Sequence, residues 1–180
     1  ATSRSCAIEI INDTGKIYNF LGEKVSMQLP HVHAISGCDT TSFLFGVGKA
    51  KLLKKILKHQ DSPQLLGSLG KARDLSIDRI NDAVQFVQTV MYTGRKDESL
   101  VDTRVRLYKA MKAKSPQSLP PDQDSMHQAI LRVHYQYYYW LRFVQRSIAS
   151  LSLEDNGCTL DVEKSLVQPV WFTGELCYSL

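Results

Sequence analysis

No apolar run in this 180-residue chain approaches the roughly 20 residues that a membrane span needs, and the N-terminus has no secretory hydrophobic region. Those absences favour a soluble protein of the cell interior, nucleus or cytoplasm, with no membrane partner. The four cysteines, Cys6, Cys38, Cys158 and Cys177, lie far apart with no C-x-x-C pair. That argues for reduced thiols and against a disulfide framework or a zinc ribbon. There is no Walker A, no G-x-S-x-G and no H-E-x-x-H, and Gly46-Val47-Gly48-Lys49 stops short of a dinucleotide fingerprint. The chain opens Ala1-Thr2-Ser3-Arg4 with no Met, as a processed chain or an excised fragment does.

What is present is charge unevenly placed. The net charge is only +4, yet residues 49–58 hold five lysines and no acid, while residues 154–175 hold five acids against Lys164 alone. Such segregation suggests a basic surface in the middle of the chain and an acidic C-terminal segment able to fold back on it or to compete with a polyanion. The alternative is a solvated helix face and an ordinary polar tail. At 43% hydrophobic, the chain can bury a sizeable core as one domain, or as one domain plus an extension.

The lysine run opens on a Gly-x-Gly turn. Gly46 and Gly48, followed by Lys49, expose backbone N–H groups and the positive end of a helix dipole, with Lys51, Lys54, Lys55 and Lys58 adding mobile charge behind them. This is a candidate anion site for nucleic-acid phosphate. Leu52, Leu53, Ile56 and Leu57 form an apolar stripe at helical spacing, which turns most of the lysines outward.

Ahead of that turn, with six residues between Asp39 and Gly46, stands His33-Ala34-Ile35-Ser36-Gly37-Cys38-Asp39-Thr40-Thr41-Ser42. This segment resembles metal-dependent 5′ nucleases of the flap endonuclease type, in which Gly-Cys/Ser-Asp precedes a Gly-Ile-Gly turn and a helix-hairpin-helix-like element. It is more similar still to a group of metazoan, mobile-element-derived proteins carrying LHALTGCDTTSxFxGxGK. Leu66 to Gly70, Phe86 to Tyr92, Arg104 to Tyr108, Leu119-Pro120-Pro121, Arg132 to Trp140 and Pro169 to Thr173 follow in that group's order. The resemblance spans roughly residues 20–175, and only His33 to Lys49 is highly specific. It implies that Asp39 is a catalytic metal ligand for Mg²⁺ or Mn²⁺, whose bound water attacks a phosphodiester.

One carboxylate does not make such a site. The resemblance calls for a DxD-like acidic pair at the end of an upstream strand, and before Asp39 the chain offers only Glu9, Asp13 and Glu23. Either the catalytic half lies upstream of residue 1, or the chain is not itself a nuclease. Asp39 is equally readable as a cap or turn residue beside Thr40, Thr41 and Ser42. His31 and His33, two apart, would point the same way on an extended segment, but no companion ligand lies nearby and packing roles fit them better.

The remaining pattern is mostly helical. Cys6 to Ile11 is the one good strand candidate; Thr14 to Val25 reads as a short helix using Ile17, Phe20, Leu21 and Val25, and Pro30 is expected to end what precedes the motif. Ser62-Pro63 starts a helix that Gly67 and Gly70 limit to a turn or two, and Ser76 to Tyr92 repeats Ile77, Ile80, Ala83, Val84, Val87 and Met91 on one face before Gly94. Leu100 to Ala113 is amphipathic through Val101, Val105, Tyr108 and Met111 or Leu107. From Asp122 to Ser150, Met126, Val133, Tyr137, Trp140 and Val144 form a core stripe; Arg132, Tyr135, Tyr139, Arg142 and Arg146 lie nearly opposite, in a stretch with no acid between Ser125 and Leu153. That second face is either a nucleic-acid surface with stacking tyrosines or the rim of a core.

The expected fold is mainly α with one or two short N-terminal strands. Residues 1–115 are expected to be the C-terminal half of a PIN/5′-nuclease-like α/β domain, with its helix-hairpin-helix-like element at 37–60. Residues 116–180 are expected to be a helical extension and acidic segment packed on it. Two functions follow. In one, the chain is the nucleic-acid-gripping part of a metal-dependent nuclease-like protein, DNA favoured over RNA, completed by its upstream half. In the other, it is a non-catalytic helical module that binds a protein partner.

Overall fold

A computed structural model describes residues 2–38, 40–42, 44, 46–58, 62–111 and 115–174. It is mainly helical: α1 Thr2–Ile35, α2 Lys49–Lys58, α3 Ile77–Phe86 running on into a π-helical turn Val87–Met91, α4 Leu100–Met111 and α5 Gln123–Trp140. A two-stranded antiparallel sheet, β1 Cys158–Asp161 and β2 Leu166–Pro169, pairs Cys158 with Pro169 and Asp161 with Leu166.

The strands are therefore C-terminal, not N-terminal. Residues 6–11 lie in α1. Their short, partial alternation is no barrier to helix, and β-propensity takes effect mainly where a partner strand covers one face. Helix α1 breaks at Gly22, whose φ of 75° and ψ of 163° are non-helical, and then runs through Pro30 to Ile35 instead of stopping there. Pro30 removes one backbone donor, which the packing of Val32, Ala34 and Ile35 in the core outweighs. Of the apolar residues expected inward near its start, Val25 is buried and Leu21 packs against the core, while Ile17 and Phe20 are exposed.

Helix α5 is the element on which the rest converges. Met126, Ile130, Val133 and Tyr137 join the same buried cluster as Val25 and Ile35 of α1, Leu52 and Ile56 of α2, and Ile80, Val84 and Phe86 of α3. Asp122 caps its start, Oδ1 accepting from Ser125 N–H at 2.9 Å. The helix ends at Trp140, well short of Ser150, with Arg142 N–H turning to Tyr139 O. Leu151 N–H then donates to the Tyr139 hydroxyl at 3.1 Å, so the chain doubles back on the helix. Val144, expected in the core, is consequently 77% exposed, and Trp140 is only partly buried.

Helix α4 turns a different face inward than expected. Leu100 and Thr103 are buried and Leu107 packs against the core, leaving Val101, Val105 and Tyr108 exposed. One residue of rotation separates the two stripes, and both contain apolar groups. The π-turn ahead of it aims Gln88 inward, where its Nε2 donates to Thr103 Oγ1 at 3.0 Å and to the Glu98 carbonyl.

The Ser62–Leu66 turn is followed by a loop pressed against α5. Gly70 has φ 70°, and a Cβ there would meet Tyr137 Cδ1 at 2.7 Å and Tyr138 N at 2.8 Å. Gly70 N–H donates to His134 Nδ1 at 3.0 Å, so the imidazole is neutral with its proton on Nε2, which donates to Arg73 O at 3.2 Å. Burial pushes the His134 pKa down, in keeping with that state. Gly48, by contrast, faces open space. Gly70→Ala should therefore cost more than about 2 kcal/mol of unfolding free energy and Gly48→Ala less than about 1 kcal/mol. Urea denaturation of the two variants checks this; equal costs would mean that the loop is not seated as described.

Candidate phosphate-binding site

The Gly-x-Gly turn and its helix are built by the chain between α1 and α2. Gly37, at φ 97°, closes α1 with its N–H on Ala34 O. A tight turn follows in which Cys38 and Thr41 exchange backbone hydrogen bonds at 3.1 and 3.3 Å, and the Thr41 hydroxyl donates to Ala34 O at 2.7 Å. Val47, buried, pins the turn between Gly46 and Gly48 into the core. Leu52 N–H donates to Gly48 O at 3.0 Å, so the helical hydrogen bonding reaches back to the glycine just ahead of α2, and an α-helix has no intrahelical acceptors for the N–H groups of its first turn. Gly37, Gly46, Gly48 and Lys49 line a cavity of about 480 Å³ at that helix end.

The five lysines divide by what holds them. Lys49 Nζ donates to Gly37 O at 2.5 Å and Lys51 Nζ to Gly46 O at 3.0 Å, so both ammonium groups are drawn to the rim of the turn. Lys55 leans inward onto Met91 O at 2.6 Å, and burial, aided by Lys51, lowers its pKa. Lys54 and Lys58 are exposed on the outer face of α2. Exposed lysine charge not drawn to the turn thus lies one to two turns into the helix, and Lys49 is held in place beside Gly37.

Of the three arginines expected on one face of a longer α5, only Arg132 lies in the helix, and the three are placed differently from one another. Arg132 is 3% exposed, its Nη1 donating to Gly157 O at 2.9 Å and to Val170 O at 2.5 Å, with Trp171 stacked 5.1 Å from its guanidinium carbon. Arg142 donates from Nη1 to Gly70 O and Tyr138 O and from Nη2 to Lys71 O, and lies 3.7 Å over the Tyr138 ring. Both join segments of the fold, whereas Arg146 is exposed. The acidic C-terminal segment folds back on α5, where Asp124 accepts from the N–H groups of Thr173 and Gly174.

Asp39 lies outside the described residues. Among the described residues no three His, Cys, Asp or Glu side chains gather as a metal site. Cys38 contributes a thiol whose pKa burial would raise, but the Thr40 and Thr41 hydroxyls and N–H groups hold it below the ordinary value.

His31 and His33 both face α5. His31 is buried 3.9 Å from the Tyr137 ring, and His33 stacks on Trp140 at 5.6 Å. Burial first, then the charge of Lys71, lowers the His31 pKa to about 4. The unfolded chain takes up this proton near pH 6.5 and the folded chain only near 4, so the stabilising effect is complete above 6.5 and is lost as pH falls through that window. Unfolding free energy should drop by a few kcal/mol between about pH 7 and about pH 4, and His31→Phe should flatten that slope. An unchanged slope would mean that His31 is not held neutral.

Comparison with models of known protein families, with curated proteins and with solved structures gives no match.

Proposed function

We propose that the chain binds the sugar-phosphate backbone of nucleic acid, DNA in preference to RNA, through the Gly46–Lys49 turn and the outer face of α2. The observation that carries this reading is the position of exposed Lys51, Lys54 and Lys58 behind an open helix N-terminus, on a helix with no acid. Phosphate is stabilised there by backbone N–H groups and the helix dipole, and by lysine charge that releases counterions on contact. A PIN/flap-nuclease-like parentage would make this the gripping half of a nuclease. In that case a Mg²⁺ or Mn²⁺ site would need Asp39 together with carboxylates from elsewhere in the protein.

A second reading, a protein-interaction module, is favoured by the exposed apolar stripe Val101, Val105 and Tyr108 on α4. The two separate cleanly by experiment. Binding of the full chain to duplex and single-stranded DNA and to RNA, measured against salt, should fall steeply with ionic strength and depend little on base sequence. Lys54→Ala with Lys58→Ala should reduce the salt slope by roughly two units if each makes one phosphate contact. An unchanged slope, or no binding at low salt, would overturn the nucleic-acid reading in favour of the α4 surface.

A further inference from the structure

His134 is fully buried, yet both of its hydrogen-bond partners belong to a loop outside the helices. Gly70 N–H donates to Nδ1 at 3.0 Å, and Nε2–H donates to Arg73 O at 3.2 Å. Two more carbonyls of that loop, Gly70 O and Lys71 O, accept from Arg142 at 2.7 and 2.8 Å, and Arg73 Nη2 reaches Ser150 O at 3.3 Å. Residues 71–74 are exposed. Past the buried side chain of Leu69, then, the loop is held on α5 by hydrogen bonds, whereas α1, α2 and α3 share one apolar cluster with α5. A few hydrogen bonds open more cheaply than a packed core.

We propose that residues 70–73 form an acid-released latch, closed on α5 by neutral His134 and lifted by its protonation while the helices stay folded. A proton on Nδ1 removes the acceptor and sets a new N–H against that of Gly70, and the closed loop keeps water from the charged ring. Lifting the loop lets the imidazolium meet water. It also uncovers the side of Tyr137 on which Gly70 presses and frees Arg142 from Gly70 O and Lys71 O. Burial is the largest influence on the ring and lowers its pKa; the Arg73 carbonyl and Asp74 act in the opposite sense, and Arg142 adds to the lowering. From α1, His31 lies against Tyr137 with the charge of Lys71 beside it, and the buried residues of α3 are uncharged. The open loop therefore takes up the proton near pH 6.5 and the closed loop only at lower pH, so opening grows by up to about tenfold per pH unit in between. The latch does not depend on the nucleic-acid reading.

Amide hydrogen exchange of the full chain, resolved by residue with NMR between about pH 7.5 and about pH 4.5 and corrected for intrinsic rates, tests this. Protection of Gly70 N–H should lie below that of Ile130 in the middle of α5 and should fall by up to about tenfold per pH unit below about pH 6.5. In His134→Gln the side-chain amide retains one acceptor and one donor but takes up no proton in this range, and the fall at Gly70 should disappear. Asp74→Asn, at an exposed position with little bearing on folding, should carry the fall to lower pH. Equal protection of Gly70 and Ile130 at every pH, or a fall at Gly70 that neither variant alters, would overturn the proposal.

Discussion

The contact between the Gly70 backbone and α5 determines how the chain's central loop can lie. With a Cβ excluded at 2.7 Å from the Tyr137 ring, the loop approaches closely enough for its N–H to reach His134 and its carbonyl to reach Arg142 at 2.7 Å. Each of these backbone groups would cost about 1–3 kcal/mol if buried without a partner. His134 can accept only while neutral, and its burial maintains that state. The loop in turn covers α5 beside the rings of Tyr137 and Tyr138, against which the tilted His31 ring and the Arg142 guanidinium pack.

That arrangement sorts the cations of the chain. Arg132 sits on α5 and Arg142 just beyond its end, and their guanidinium groups satisfy carbonyls from segments distant in sequence. Lys55 does the same for Met91 at the end of the π-turn. The lysines of α2 that point away from the core meet no such carbonyl, apart from those drawn to the Gly46 turn, and they are left as surface charge. The nucleic-acid contact proposed above would fall on residues that the fold does not use for its own packing.

Much of this was legible in the sequence. The stripe of Leu52 and Ile56 placed α2 and its lysines correctly, the Ser62-Pro63 start and Gly67 stop bounded a short turn, and Met126, Val133 and Tyr137 are core residues as their spacing implied. The failures share one cause, that local pattern carries no information about distant partners. Residues 6–11 alternate enough to suggest a strand but have no strand to pair with, and α4 has two plausible apolar stripes one residue apart. Arg132 and Arg142 look like surface charge on a helical wheel, because the wheel omits the loop and hairpin that cover them. The pairing of Gly70 with His134 was the hardest to see, since each has its structural meaning only through the other.

Lysine footprinting puts the assignment of nucleic-acid binding to the α2 face to its sharpest test. Each lysine of the full chain would be followed by reductive methylation at low salt, with and without a DNA duplex. Strong protection is expected at Lys54 and Lys58, weaker protection at Lys49 and Lys51 beside the turn, and none at Lys109 or Lys164. Protection spread evenly over all lysines, or confined to positions outside residues 49–58, would contradict that assignment.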